Sequence, residues 1–319
     1  MWSGARNEVP KSLMYAIETA ALTKRFRRAQ AVCDLNLQIE TGSVYALIGP
    51  NGAGKTTLIK MLMKLVRPTS GRAKLLGMDV AGLRGPQLAL VGYVSENQKL
   101  PEWMTVGAYL RYWRPFYPTW DRNLEEQLVE QFDLPLKQKL KHLSRGMRMK
   151  VSLASVLAFH PRLIILDEPL SGLDPLVRDE LIRALLERKG NTTVLISSHD
   201  LAEIDHFATH VGYLDGGVMR LSESIDTLRQ SFRRIEVAAP EESLLVPPSP
   251  PAEWRELSSD GTSVRWTELD YDRYRSIARI HDYFGEDVLI RSSGMPLREI
   301  FLTLARRYHG EKNGRGERP

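Results

Sequence analysis

A chain of 319 residues, 26% of them charged and 43% hydrophobic, has room for two domains of ordinary size and reads as globular and soluble rather than fibrous or disordered. Its net charge of +5 is too small a surplus to argue alone for nucleic acid or anionic lipid, and the single cysteine, Cys33, excludes an internal disulfide and favours a reducing compartment. No apolar run reaches the roughly 20 residues of a membrane-spanning helix, and Met1 to Lys11 lacks the apolar core of a signal peptide.

In chain order, Met1 to Lys11 reads as a loose tail, and the rough alternation of Met14 to Glu18 as an edge strand. Lys24-Arg25-Phe26-Arg27-Arg28 sets one aromatic among four cations. It fits a solvated hairpin with Phe26 tucked in, or a platform that stacks on a nucleobase; its place just ahead of the next motif favours the platform. Ser43 to Ile48 is a short apolar run suited to a buried parallel strand. Gly49-Pro50-Asn51-Gly52-Ala53-Gly54-Lys55-Thr56-Thr57 follows, matching the phosphate-loop pattern G-x-x-x-x-G-K-[ST], and Leu58 to Met63 continues at helical spacing. Glycines let the backbone N–H groups close around phosphate oxygens, and the helix start adds the positive end of its dipole. Lys55 is placed to reach the β- and γ-phosphates of a nucleotide, and the Thr56 hydroxyl to ligate Mg²⁺.

Gly71 to Gly77 reads as a strand and turn, and Leu90 to Ser95 as a buried strand ending at Glu96-Asn97-Gln98. Trp103, Tyr109, Tyr112, Trp113, Phe116, Tyr117 and Trp120 then crowd one region, a small core or a grooved contact surface. Val129 to Phe132 and Leu134 to Leu143 read as largely helical. Ser144 is a candidate N-cap for a helix whose packing face is Val151, Ala154, Ser155, Leu157 and Ala158. Arg162 to Leu166 is a buried strand closing on Asp167, suited to Mg²⁺, and Glu168, suited to general-base work on a water. Ser171 to Pro175 turns into a helix over Leu176 to Lys189, and the strand Thr193 to Ser197 closes on Ser198-His199-Asp200. Val211 to Leu221 is a hairpin around Gly216-Gly217.

Beyond Gln230 the composition shifts. Val246 to Pro251 reads as a stiff connector, Trp254 to Leu257 and Val264 to Leu269 as a hairpin about Asp260-Gly261, and Tyr274 to Phe284 as an amphipathic helix. Val288 to Arg291 is a strand, and Leu297 to Leu304 a last helix.

Gly49 to Thr57, Leu143 to Met147, Leu163 to Pro169, Ser171 to Asp174 and His199, in this order, resemble the ATP-binding subunit of ABC transporters over about Leu13 to Gln230. They correspond to phosphate loop, signature, Walker B strand, D-loop and switch histidine. Phe116 to Asp121 and the form Leu-Ser-Arg-Gly-Met look most like bacterial efflux and antibiotic-resistance subunits of the bacitracin-exporter kind. The fold class implied is α/β, a P-loop NTPase with an ABC-type helical subdomain and an antiparallel β subdomain, plus a small C-terminal α+β domain. The expected organisation is a flexible tail (1–12), an ATP-binding domain (13–230, helical subdomain about 97–160), a small C-terminal module (231–309) and a disordered tail (310–319). Regulation, dimer contact and a structural appendage stand as alternatives for the C-terminal module.

The resemblance implies an ATPase that takes ATP and Mg²⁺, driving transport, outward by subgroup, through a separate transmembrane permease subunit. Phe26 would stack on adenine, residues 49–57 would hold the phosphates, and Thr56, Asp167 and Glu96 would serve the metal. Lys55, Glu168 and His199 would act in hydrolysis. Ser144, Arg145, Gly146, Met147 and Asp174 would meet nucleotide across an interface with a second copy or a homologous ATP-binding subunit. The location implied is the cytoplasmic face of the membrane, and no nucleic acid is expected. Arg145 and Met147 stand where the family usually has a small residue and a Gln, and Glu96 where it has a metal-sensing Gln; Gln98 is a nearby substitute. A soluble relative acting on DNA or ribosomes is the alternative. One cassette, a compact insertion and no cysteine pairs count against it. Intact Lys55, Asp167, Glu168 and His199 count against a cassette that binds without hydrolysing.

Overall fold

The computed structural model of the chain describes residues 14–27, 29–187, 192–239 and 246–304. The predicted tails at Met1–Lys11 and Gly310–Pro319 lie outside them. Two compact units divide between Ser222 and Glu223.

The first unit opens with an antiparallel sheet. Strands β1 (Tyr15–Phe26) and β2 (Ala29–Glu40) form a long hairpin. The phosphate-loop strand β3 (Val44–Ile48) and helix α1 (Lys55–Leu62) follow, then β4 (Ser70–Leu75) and β5 (Met78–Asp79), which complete the sheet in the order β2-β1-β4-β5. Met14 to Glu18 was expected as a sheet edge, but β1 lies inside, paired to β2 and β4. That stretch is only the start of a longer strand, whose later polar side chains find partners within the sheet: the Thr19 hydroxyl donates to the Leu35 carbonyl at 2.9 Å and the Thr23 hydroxyl to Asp34 at 3.0 Å.

A short helix α2 (Gly85–Leu88) leads to β6 (Val91–Ser95). The aromatic region forms α3 (Val106–Trp113) and α4 (Arg122–Gln131). It is partly core, with Tyr109 and Phe132 buried and Tyr117 stacked on Phe159 at 3.9 Å between centroids. Trp103, Tyr112 and Phe116 are exposed. The segment from Leu134 to Leu143, expected as helix, has only a 3₁₀ turn at Leu140–His142. Asp133, at φ 50°, ends α4 with a left-handed residue, and Pro135 disfavours helical backbone just before it.

Ser144 caps α5 (Arg145–Leu157), accepting from the Met147 N–H at 3.2 Å. Next come β7 (Leu163–Asp167), α6 (Pro175–Leu186), β8 (Thr193–Ser198), β9 (His210–Asp215) and β10 (Val218–Ser224). The sheet order is β10-β9-β3-β8-β7-β6, with β9, β3, β8, β7 and β6 parallel. Every residue of β3, β7 and β8 is buried, which is why these strands read as short, mainly apolar runs with polar residues only at their ends. Register matters most for function. Ile48 pairs with Ser198, and Asp167 with both Ser197 and Ser95. Gly49, Glu96, Glu168 and His199, each one residue past its strand, therefore share one edge of the sheet.

In the second unit α7 (Ile225–Ser231) precedes β11 (Arg233–Ala238), a central strand that the sequence reading passed over. Strands β12 (Trp254–Ser259) and β13 (Ser263–Glu268), helix α8 (Arg273–Phe284), β14 (Leu289–Gly294) and helix α9 (297–304) complete it. The sheet order is β12-β13-β11-β14. The proline-rich stretch at Val246 to Pro251 thus runs between two strands of one sheet rather than between domains. Stacked Trp254 and Trp266 pack with Ile235, Val237, Val264 and Ile280 into a separate core; each such aliphatic contributes about 1.5–3 kcal/mol.

Glu268 is buried at the end of β13, where one carboxylate oxygen accepts from the Ser276 hydroxyl at 2.6 Å and the other has no partner. Burial raises its pKa above the ordinary 4.5, with the Ser276 bond opposing. A carboxyl raised in the folded state adds stability below its unfolded pKa and loses it as pH rises through the folded value. Glu268→Gln does not titrate, so its thermal midpoint should rise relative to wild type as pH climbs above the ordinary 4.5 toward the raised folded-state value. A pH-independent difference in thermal melts would contradict this burial cost.

Candidate functional site

The site is built on that shared edge, starting from the turn between β3 and α1. Residues 49–57 can wrap tightly only because of two glycines. A Cβ on Gly49 would lie 2.1 Å from the Leu214 carbonyl oxygen. One on Gly54, at φ +108°, would lie 2.2 Å from the Ala31 carbonyl oxygen. Pro50, Asn51 and Gly52 are exposed, while Ala53 is buried and packs into the core beneath them. Gly54 caps α1 without a side chain, leaving the first N–H groups of the helix to be satisfied by something else.

Lys55 is buried, and its Nζ donates to the Gly49 carbonyl at 2.6 Å and reaches the Glu168 carboxylate at 3.2 Å. The other Glu168 oxygen lies 2.8 Å from His199 Nδ1. One carboxylate thus spans a lysine from the start of α1 and a histidine from the end of β8. Glu168 itself has φ 52°, an unusual backbone for a non-glycine residue, and its N–H donates to the Ser197 hydroxyl at 3.0 Å.

Asp167 sits just behind, 3% exposed. Its Oδ1 accepts from the Ser197 hydroxyl at 2.9 Å and the Thr56 hydroxyl at 3.1 Å. Burial raises the Asp167 pKa, the two hydroxyl bonds lower it, and the neighbouring Glu168 charge adds to the rise. A carboxylate and hydroxyl oxygens converging beside a phosphate loop suit a hard divalent cation. No cluster of three or more His, Cys, Asp or Glu exists among the described residues, so phosphate oxygens and water would have to supply the remaining ligands.

Ser197 was not singled out as a site residue by the sequence reading. The signal available was a pair of serines closing an otherwise apolar strand, in a place where a buried polar side chain needs a partner. Its neighbour Ser198 donates to buried Glu203 at 2.7 Å, and Glu203 also takes Arg178 of α6 at 3.2 Å. That network braces the strand end carrying His199.

The other predicted residues lie elsewhere. Phe26 ends β1, half-exposed, with Lys24 Nζ 5.0 Å from its ring centroid. Ser144 and Arg145 are exposed at the start of α5, where Gly146 comes close to Val177 of α6 and Met147 is half-buried. Asp174 caps α6, accepting from the Leu176 N–H at 2.9 Å, and Leu176 itself is 74% exposed. Among the described residues, no hydrogen bond or ion pair joins 144–147 to the phosphate loop. Glu96, whose N–H donates to the Asp167 carbonyl at 3.0 Å, turns its carboxylate to the Arg145 guanidinium.

The model for the ABC transporter family matches residues 32–171. The bacitracin transport ATP-binding protein BcrA of Bacillus licheniformis is 32% identical over 68% of this chain and 72% of its own. The daunorubicin resistance ATP-binding protein DrrA2 of Streptomyces coeruleorubidus is 34% identical over 71% and 73% respectively. Among solved structures, the ATP-binding cassette MJ0796, a dimer in a post-hydrolysis state bound to ADP and Pi, superposes with a TM-score of 0.59. It is 22% identical and covers 66% of this chain and 98% of its own.

Ser197→Ala removes a hydroxyl that serves Asp167 and Glu168 together. It should lower unfolding stability by about 1–3 kcal/mol, the cost of leaving buried polar groups unpaired. Unchanged denaturant midpoints would show that these contacts carry no energy.

Proposed function

The chain belongs to the ATP-binding proteins of ABC transporters and is an ATPase; from that premise we propose that it energises export through a separate transmembrane subunit. The observation that carries this reading is Glu168 held between Lys55 and His199, directly beside Asp167 with its Thr56 hydroxyl. Phosphoryl transfer asks a protein mainly for positioning and charge stabilisation, and these groups supply both.

ATP would place its phosphates on residues 49–57, and Phe26 would offer a face to adenine. Lys55 would exchange its carbonyl contacts for phosphate oxygens. The Glu168 carboxylate would accept the proton of the attacking water, with His199 Nδ1 orienting its second oxygen. Thr56 and Asp167 would hold Mg²⁺, which supplies neutralisation of phosphate charge when bound.

Ser144, Gly146 and Asp174 would complete the site of a second chain, and the exposure of Ser144, Asp174 and Leu176 supports an interface there. The relative MJ0796 is dimeric. The exposed aromatics Trp103, Tyr112 and Phe116 would receive the transmembrane subunit on the cytoplasmic face. No helix among the described residues is long and apolar enough to cross a membrane. Export is the reading suggested by the two relatives, one a bacitracin transport protein and the other a daunorubicin resistance protein. Residues 13–230 are assigned to the ATP-binding domain and 231–309 to the C-terminal module.

Lys55→Ala should abolish tight ATP binding. Glu168→Gln should retain binding and lose turnover by roughly 10²-fold or more. Equilibrium binding and phosphate release measured on the same preparations check both. Wild-type turnover by Glu168→Gln would remove Glu168 from the reaction.

A further inference from the structure

The end of α1 remote from Lys55 borders a cleft of about 570 Å³ that the nucleotide reading leaves unused. Its volume falls within the roughly 300–1,000 Å³ of small-molecule sites. Leu22 of β1, Met61 of α1, Ala73 of β4 and Val80 line it, each buried, with Val66 half-buried beside them. Among the described residues no aromatic lines it, so the cleft offers contact to a flexible aliphatic group and gives a planar ring nothing to stack on. Hydrogen bonds fix its walls. Lys24 Nζ donates to the Arg67 carbonyl at 2.7 Å, the Arg25 N–H to the Thr69 hydroxyl at 3.0 Å and the Thr69 N–H to the Thr23 carbonyl at 2.8 Å, which ties 67–69 to β1. Lys64 Nζ donates to the Leu83 carbonyl at 2.9 Å, which ties the end of α1 to the residue after the 3₁₀ turn Val80–Gly82.

The charged residues around this apolar lining are Lys64, Arg67, Arg72 and Asp79, three cations against one carboxylate. That carboxylate is already engaged, accepting from the Ala81 N–H at 2.8 Å. Lys64 is engaged by the Leu83 carbonyl. On β4, Lys74 pairs across the sheet with Glu18, whereas Arg72 pairs with Ala20 and has no acid opposite. Arg67 and Arg72 are both exposed, and among the described residues neither guanidinium makes a hydrogen bond or ion pair. Two unengaged guanidinium groups beside an aliphatic cleft complement a molecule with an apolar body and an anionic head.

We propose that this cleft binds a single-chain acyl anion of the fatty-acid class, with its chain against Leu22, Met61 and Val80 and its head on Arg67 and Arg72. An anionic membrane surface would offer the same head to the arginines but would leave the apolar lining unfilled, and the lining is what favours a free chain. The site shares no residue with the phosphate loop, so substitutions in it leave nucleotide binding intact.

Isothermal titration of the full chain with decanoate, kept below micelle-forming concentrations, tests this. Wild type should bind decanoate saturably. The Arg67→Gln/Arg72→Gln double variant should weaken that binding by about fivefold or more, the scale of two exposed charge pairs. Decanol, with the same chain and no charge, should bind both proteins alike. Ala81→Trp sets a bulky ring at the border of the cleft and should weaken decanoate and decanol together. A fluorescent ATP analogue should bind both variants as it binds wild type, which shows that they fold; if Ala81→Trp does not fold, the arginine comparison decides alone. No saturable decanoate binding to wild type, or an unchanged affinity in the double variant, would overturn the site. Sedimentation with phosphatidylglycerol vesicles that is lost in the double variant, without any uptake of decanoate, would overturn it too, by assigning the arginines to a lipid surface.

Discussion

The buried carboxylate of Asp167 is the constraint on which the site depends. A carboxylate at the end of a fully buried strand is costly unless it is hydrogen-bonded. Here the partners are the hydroxyls of Thr56 on α1 and Ser197 on β8. Satisfying that one group fixes the start of the phosphate-loop helix against the ends of two neighbouring strands. Ser197 then takes the N–H of Glu168, so the residue beside Asp167 is held in its left-handed conformation. From there the Glu168 carboxylate reaches both Lys55 and His199. Stability and chemistry share the same few hydrogen bonds.

Much of this was legible in the sequence, for a physical reason. Parallel strands buried on both faces must be apolar throughout, so β3, β6, β7 and β8 appear as short apolar runs, and chemistry appears where each run stops. Glycines forced by close backbone approach mark the phosphate loop equally plainly. What could not be read is partnership across the chain. A serine closing a strand carries no motif, so Ser197 gave little sign of serving the Asp167 carboxylate and the Glu168 N–H together. The alternation of Met14 to Glu18 looked like an edge because nothing local shows that Ile17 and Glu18 pair with Leu75 and Lys74 of β4. In β11, charged Arg233, Arg234 and Glu236 share the strand with buried Ile235 and Val237, and no Gly or Pro marks its start.

A second pattern concerns α5 and α6. Gly146 lets the two helices approach, Lys150 pairs with Glu180, and Arg178 reaches Glu203 behind the strand end that carries His199. Arg145 and Glu96 extend these links to β6. The start of α5 is thus tied by charged pairs and close packing to elements on the same sheet edge as Glu168. Low-dielectric pairs such as those of buried Lys150 and Glu203 hold geometry, whereas the half-exposed Arg145 pair contributes little.

On the proposed reading, the exposed surfaces at Ser144 and Asp174 finish their work only against another chain. The most direct measurement is specific ATPase activity as a function of protein concentration, with the oligomeric state followed in the same samples. The account predicts that activity per chain rises as dimer forms and falls away on dilution to monomer. Full activity in a strictly monomeric sample would contradict it.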